Sequence, residues 1–389
     1  MTQVRALCAL LILVGGVGCS QTVTSPAADT DIEAVRVLRP TRPPLVLHFV
    51  GDIMAHRPNF NMTGYDRIYA DVTGVLATGD LNFANLEFVV DPDRELSSYP
   101  TFNVHPDYVE AAMAAGFQVF SLANNHTTDF GAPGVAATYR TALALQQQSP
   151  DTVFSGIRTD AGKDFQLELL ELHGWKIGFT AITGMLNDWR GRERVQFTFF
   201  DHEREAFLEW LATVRPTVDY LIVSYHDGVE YVTRPHRRKQ EYMRRMADAG
   251  ADIVWGHHPH VLQPMERRVV SRQDGQADAL IIYSAGNFIS SQTWFLAADD
   301  YDLPRAYTGD SAIYRVLLSQ HGARPRLESV QTVPITHFIT EDYAVVVRRM
   351  IPLIDSGQLD EHWQTYYERR LERMRPLLFS PDPLHQLTK

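Results

Sequence analysis

The chain has 389 residues, of which 45% are hydrophobic and 21% charged, the balance of a folded globular protein rather than a disordered one. A net charge of −11 excludes a nucleic-acid binder that works by bulk electrostatics, while leaving room for local basic patches. The length is large for one core, yet a single α/β domain with extensions accommodates it.

Both cysteines, Cys8 and Cys19, lie near the N-terminus, so metal binding or catalysis in the rest of the chain must use His, Asp, Glu and Asn. Arg5, the apolar run from Ala6 to Val14 and the small residues before Cys19 have the layout of an export signal, too short for a dependable membrane span. A cysteine directly after small residues resembles a bacterial lipoprotein signal, with residues 1–19 as the signal and Cys19 as the lipidated residue. Gly16 stands where leucine is usual there, and ordinary secretory cleavage nearby is the alternative. Both readings export the protein, the first onto a lipid anchor in the cell envelope. Residues 20–44, rich in Thr, Ser, Pro and Ala, read as a flexible tether.

Leu45 to Val50 is a buried-strand run that empties into Gly51-Asp52-Ile53-Met54-Ala55-His56-Arg57. A second strand, near Leu81 to Ala84, leads to Asn85-Leu86-Glu87. A helix started by Pro106 and Asp107 and stopped at Gly116 delivers Phe117 to Leu122 into Asn124-Asn125-His126, ahead of a helix from about Ala132 to Gln148. The two asparagines fit helix capping, but the histidine has no capping role. Leu167 to Leu172 and Lys176 to Thr183 read as a hairpin, and Gly184 to Gly191 as a loop. After a helix from about His202 to Val214, the strand Asp219 to Ser224 opens into Tyr225-His226-Asp227.

Pro235 starts a helix that ends at Gly250 and carries a basic run. Its outer face is expected to be solvated; the functional reading makes Arg237 and Arg238, with Arg57, a docking surface for an anionic polymer or phosphate. Ala251 to Trp255 is a short buried strand left through Gly256 directly into His257-His258-Pro259-His260. Two imidazoles one residue apart in an extended segment can serve one ion or two neighbouring ions. Ala279 to Ser284 leads to Gly286-Asn287, the aromatic, acidic segment from Gln292 to Asp310 lacks periodicity, and Ala312 to Ser319 alternates like a final strand. From about Glu341 the pattern turns helical.

Six strands thus end in clusters holding Asp52, Glu87, Asn125 with His126, His226, His258 with His260, and Asn287. A sheet gathers such ends along one edge, making a single site from distant positions. Two acids, an amide oxygen and three or more imidazoles can hold two divalent ions, and mixed N and O donors without sulfur suit Mn, Fe or Zn better than Mg or Ca.

Gly51-Asp52-Ile53-Met54, Ala84-Asn85-Leu86-Glu87, Asn124-Asn125-His126 with Asp129-Phe130-Gly131, Tyr225-His226 with Gly228 and Glu230, Gly256-His257-His258-Pro259-His260, and Tyr283-Ser284-Ala285-Gly286-Asn287-Phe288 together resemble the CapA family of poly-γ-glutamate capsule biosynthesis proteins. That family in turn resembles the calcineurin-like metallophosphoesterases, whose fold is two mixed β-sheets sandwiched between helices. The resemblance implies such a domain over residues 45–338, with 339–389 as a helical extension and tail. It implies that Asp52 binds a first ion, Glu87 bridges, Asn125 and His226 bind a second, His258 serves the second and His260 the first. His126 would assist the leaving group. His56, His257 and Asn287 are additional candidates. Met54 departs from the phosphoesterase Asp-x-His pattern, and Glu87 replaces its bridging aspartate.

Three functions follow. The first is an exported metal-binding protein that makes or processes an anionic envelope polymer such as poly-γ-glutamate by metal-assisted hydrolysis or transfer. The second is an active phosphomonoesterase or phosphodiesterase, and the third a non-catalytic partner in a membrane synthase complex.

Overall fold

Leu45, Leu47 and Phe49 alternate into a core shared by two sheets, the period-2 pattern of a buried strand. In the computed structural model, which describes residues 42–159, 165–272, 275–321, 324–378 and 385–387, that strand spans Leu45–Ile53 and lies mid-way across a nine-stranded sheet. It pairs in parallel with Leu81–Leu86, which continues the parallel run through Val119–Ser121 to Val153–Ser155. On its other side come Asp310–His321, Arg324–Ile339 and Val345–Arg349, all antiparallel. The expected export signal with Cys19 and the expected tether as far as residue 41 lie outside the described residues, as do 379–384 and 388–389 of the tail. Just before the first strand, Arg42 pairs with Asp219 at 2.5 Å and the Trp175 indole N–H donates to the Pro43 carbonyl.

The second sheet has six strands. The expected hairpin forms from Glu168–Leu172 and Trp175–Thr183, and Tyr220–His226, Ile253–His257 and Gly275–Ala285 follow in parallel order. Leu262–Arg272 closes that edge by pairing antiparallel with Gly275–Ala285.

The sheets face each other across one core. Phe49 stacks on Phe83 with ring centroids 4.6 Å apart, Phe83 meets Phe179 edge-on, and the Trp255 indole donates to the Val50 carbonyl at 2.9 Å. Helices Pro106–Ala114 and Gly131–Gln148 cover the outer face of the larger sheet, and Asp201–Val214 with Arg237–Ala249 cover that of the smaller. The chain is therefore an α/β sandwich of two mixed sheets between helices.

Three sequence expectations need correction. Ala312 to Ser319 is not the last strand, because Arg324–Ile339, Val345–Arg349 and His385–Leu387 follow it; in Arg324–Ile339 charged and polar residues interrupt the apolar positions, masking a strand that the neighbouring ladder stabilises. The ribbon Leu262–Arg272 was not expected at all, its middle being only half-buried and rich in arginine. The helical pattern expected from about Glu341 begins instead at Met350, after the β-branched run of Val345–Arg349. Helices Met350–Asp355 and Glu361–Leu378 then pack Met350, Leu353, Tyr367, Leu371 and Met374 into the inter-sheet core.

Candidate metal centre

Two glycines let the strand ends close up. A side-chain carbon on Gly51 would lie 1.9 Å from the Gly286 carbonyl oxygen, and one on Gly256 would lie 2.3 Å from that of Tyr283. The register then sets Asp52 opposite both Asn85 and Asn287, and His257 opposite His226.

The donor atoms of three short turns converge there. Asp52, Glu87 and His260 bring one donor each within 4.8 Å of one another, and so do Glu87, His226 and His258. Glu87 Oε1 stands 3.7 Å from both His226 Nε2 and His260 Nε2, between the two groups. His226 Nε2 lies 2.7 Å from Asn125 Oδ1 and 3.2 Å from His258 Nδ1. Thus Asp52, Glu87, Asn125, His226, His258 and His260 meet in one buried cluster.

Two of the additional candidates, His257 and Asn287, occupy the next layer. His257 Nδ1 is 2.8 Å from Asp52 Oδ1, which also accepts from Asn85 Nδ2 at 2.9 Å. Asn287 Oδ1 is 2.9 Å from His260 Nδ1, turning Nε2 toward Glu87. His56 stands apart, its Nδ1 accepting from the Ser291 N–H at 3.4 Å and its ring edge-on to Phe102. Met54 is buried beside the cluster, its carbonyl accepting from the Tyr108 hydroxyl.

His126 follows Asn125 in a turn fixed from both sides. Asn124 donates to the Leu86 carbonyl at 2.7 Å and accepts from the His126 N–H at 3.1 Å. Asp129 Oδ2 lies 2.7 Å from His126 Nδ1, an arrangement that keeps a proton on Nδ1 and frees Nε2.

Burial pushes the Glu87 carboxyl well above the usual carboxylate range, and the Asp52 charge adds to that. Burial pushes Asp52 the same way, but the imidazoles of His257 and His260 outweigh it and hold Asp52 well below. Burial drives His226 and His258 well below the ordinary imidazole range, so both present lone pairs.

The cluster passes a chemical test for a cation. Asp52 Oδ2, both Glu87 oxygens and His226 Nδ1 are buried with no hydrogen-bond partner, although buried polar groups are normally satisfied. Two adjacent buried carboxylates with unpartnered oxygens are costly unless a cation sits between them. The nitrogen and oxygen donors suit a divalent first-row ion.

Sequence reasoning missed several neighbours. Asn187, in the loop after Trp175–Thr183, reaches His126 Nδ1 at 3.2 Å, and no local pattern marks it. Lys239 Nζ donates to the His257 carbonyl at 3.0 Å from a fully buried position, where burial lowers it to about 7. Its spacing to Met243 and Met246 places it on the buried helical stripe and could have revealed it. The basic face of that helix is neutralised: Arg237 pairs with Glu241, Arg238 with Asp201 and Arg245 with Glu205. Arg57 instead lines a cavity of about 810 Å³ that opens beside His126 and His260 and also takes in Glu230 and Arg305.

The fold and this cluster define an α/β sandwich protein with a candidate divalent-metal centre at its strand ends. Residues 46–292 match the family described as bacterial capsule synthesis protein PGA_cap, and the chain belongs to that family. The capsule biosynthesis protein CapA of Bacillus anthracis is 29% identical over 267 residues, 66% of this chain and 62% of that protein, so the chain spans less than two thirds of this relative's length. The PGA biosynthesis protein CapA of Bacillus subtilis (strain 168) is 28% identical over 315 residues, 76% of this chain and 77% of that protein. Among solved structures, a calcineurin-like phosphoesterase of Bacillus subtilis is similar at 11% identity with a TM-score of 0.43, covering 86% of this chain and 100% of that one.

Proposed function

We propose that this chain is an exported, lipid-anchored, metal-dependent protein that makes or processes an anionic envelope polymer of the poly-γ-glutamate type by hydrolysis or acyl transfer. The observation that carries the metal-dependent reading is the convergence of Asp52, Glu87, Asn125, His226, His258 and His260 around carboxylate oxygens that have no hydrogen-bond partner. The polymer class rests on the names of the relatives and on the cavity, where Arg57 and Arg305 face the site and form no ion pair with another described residue.

A bound divalent ion supplies Lewis acidity and a water of lowered pKa. The residues do the rest. Arg57 and Arg305 pair with substrate carboxylates and set the acyl group against the cluster. His126 keeps one proton on Nδ1 through Asp129 and presents Nε2 to the cavity. As a water or amine adds to the acyl carbon, the free Nε2 takes the proton it sheds, and Nε2 returns that proton to the leaving nitrogen as its bond to the acyl carbon breaks. His257 and Asn287 orient Asp52 and His260.

Incubation of the purified protein with poly-γ-glutamate and Mn2+, followed by size-exclusion chromatography, tests this reading. A change in polymer length that chelation abolishes and His126→Ala reduces by roughly 100-fold or more is expected. An unchanged polymer, with turnover of an aryl phosphate instead, would move the chain to the phosphoesterase reading.

A further inference from the structure

Glu230 belongs to no ligand set described above, yet it lies over the cluster. It follows His226 by four residues, in the turn after Tyr220–His226, and one carboxylate oxygen lies within 4.8 Å of donor nitrogens on both His258 and His260. The turn is fastened to the histidine loop. The Tyr231 N–H donates to the Pro259 carbonyl at 2.8 Å, and Gln263 Nε2 donates to the Val232 carbonyl at 2.7 Å. A side-chain carbon on Gly228 would lie 3.1 Å from the Pro259 ring, so the two turns are in close contact.

Both histidines pay for their positions with backbone strain: φ is +88° at His258 and +57° at His260, and Tyr231 adds +64° on the facing turn. Three non-glycine residues in the left-handed region within two facing turns mark a geometry that the surrounding structure imposes. Its result is one carboxylate and two imidazoles aimed at one point. The same two imidazoles complete the buried sets with Asp52 and Glu87, whose free oxygens independently call for a cation.

The donor count gives Glu230 its use. Asp52, Glu87 and His260 supply three donors to one position, and a first-row ion takes four to six. Met54, just past the end of the Asp52 strand, offers only a thioether, a poor donor to a hard ion. Unlike the buried acids, Glu230 is exposed and lines the cavity, so an arriving substrate oxygen can displace it.

We infer that Glu230 is a solvent-side carboxylate ligand to a divalent first-row ion held with His258 and His260, exchangeable for a substrate oxygen. This rests on the metal-dependent reading above.

Mn2+ titration by calorimetry and the visible absorption of the Co2+-loaded protein test it, using the whole protein and the variants Glu230→Gln and Asp342→Asn. Asp342 lines the same cavity and loses the same charge without touching the cluster. Glu230→Gln is expected to weaken Mn2+ binding roughly tenfold or more and to alter the Co2+ spectrum, while Asp342→Asn matches the wild type. Equal binding and identical spectra for Glu230→Gln and wild type would overturn the inference alone. So would equal weakening in both variants with unchanged spectra, because charge at a distance would then account for it. A wild-type protein that binds no ion would overturn this inference and the metal-dependent reading together.

Discussion

His257 Nδ1 lies 2.8 Å from Asp52 Oδ1, joining the ends of two strands that belong to different sheets. The contact is buried, and the same aspartate oxygen accepts from Asn85. Asp52 is thus aimed by two neighbours while its second oxygen has no hydrogen-bond partner, with His260 Nδ1 near it at 3.4 Å. Such supporting contacts orient a ligand and raise its basicity. His257→Ala is expected to weaken divalent-metal binding roughly 10- to 100-fold with the circular dichroism spectrum retained. Metal titration of the variant checks it, and unchanged affinity would show that Asp52 needs no such partner.

Two residues earlier on the same strand, Trp255 bridges the sheets through its hydrogen bond to Val50. Val50 sits at the register break between Phe49 and Asp52. Trp255→Phe keeps an aromatic ring but leaves the buried Val50 carbonyl without this donor, a loss of about 1–3 kcal/mol. Urea unfolding reads the change, and an unaltered midpoint would contradict it.

The C-terminal helix is held by a buried ion pair between Arg370 and Asp310, with both side chains 2% exposed. Removing Arg370 leaves the buried Asp310 carboxylate only Arg373, 3.8 Å away. Arg370→Met is expected to destabilise the protein by about 3–5 kcal/mol, whereas exposed Arg237→Met leaves the unfolding midpoint close to that of the wild type. Thermal or denaturant unfolding of both variants separates the two cases.

Stability is also expected to depend on pH through His48, four residues before Asp52 on the first strand. Burial, with Arg315 nearby, lowers its imidazole from 6.5 to about 4 against the hydrogen bond to Asn82. Because the folded value is depressed, the unfolded chain binds the proton more readily between about pH 6.5 and pH 4. The contribution is therefore complete above pH 6.5 and is lost as pH falls toward 4, where it amounts to about 3 kcal/mol. The unfolding free energy of His48→Gln should fall less steeply than that of the wild type over this window. Parallel profiles would contradict the assignment.

The strands that carry the centre were legible because each is an apolar run ending abruptly in polar residues: Leu45–Ile53 into Asp52, Ile253–His257 into three imidazoles. What could not be read depends on contacts distant in sequence. The ribbon Leu262–Arg272 owes its strand form to eleven residues of antiparallel pairing partner, not to its own half-buried, charged sequence. Asn187 reaches His126 only because the loop after Trp175–Thr183 folds back across the strand ends. Lys239 was hidden in plain sight, a charged residue on a buried stripe whose partner is a backbone carbonyl. Its neighbours Arg237 and Arg238 read as one basic surface, but the acids that neutralise them are Glu241 on the same helix and Asp201 on another.

The central claim is that Asp52, Glu87 and the imidazoles of His226, His258 and His260 together grip a divalent cation. Elemental analysis of the purified protein after reconstitution with Mn2+, Fe2+ or Zn2+ and removal of excess metal, beside Asp52→Ala and His258→Ala, tests it most directly. The account predicts stoichiometric metal in the wild type and its loss from both folded variants; retention of wild-type metal by both variants, or its absence from all three proteins, would contradict it.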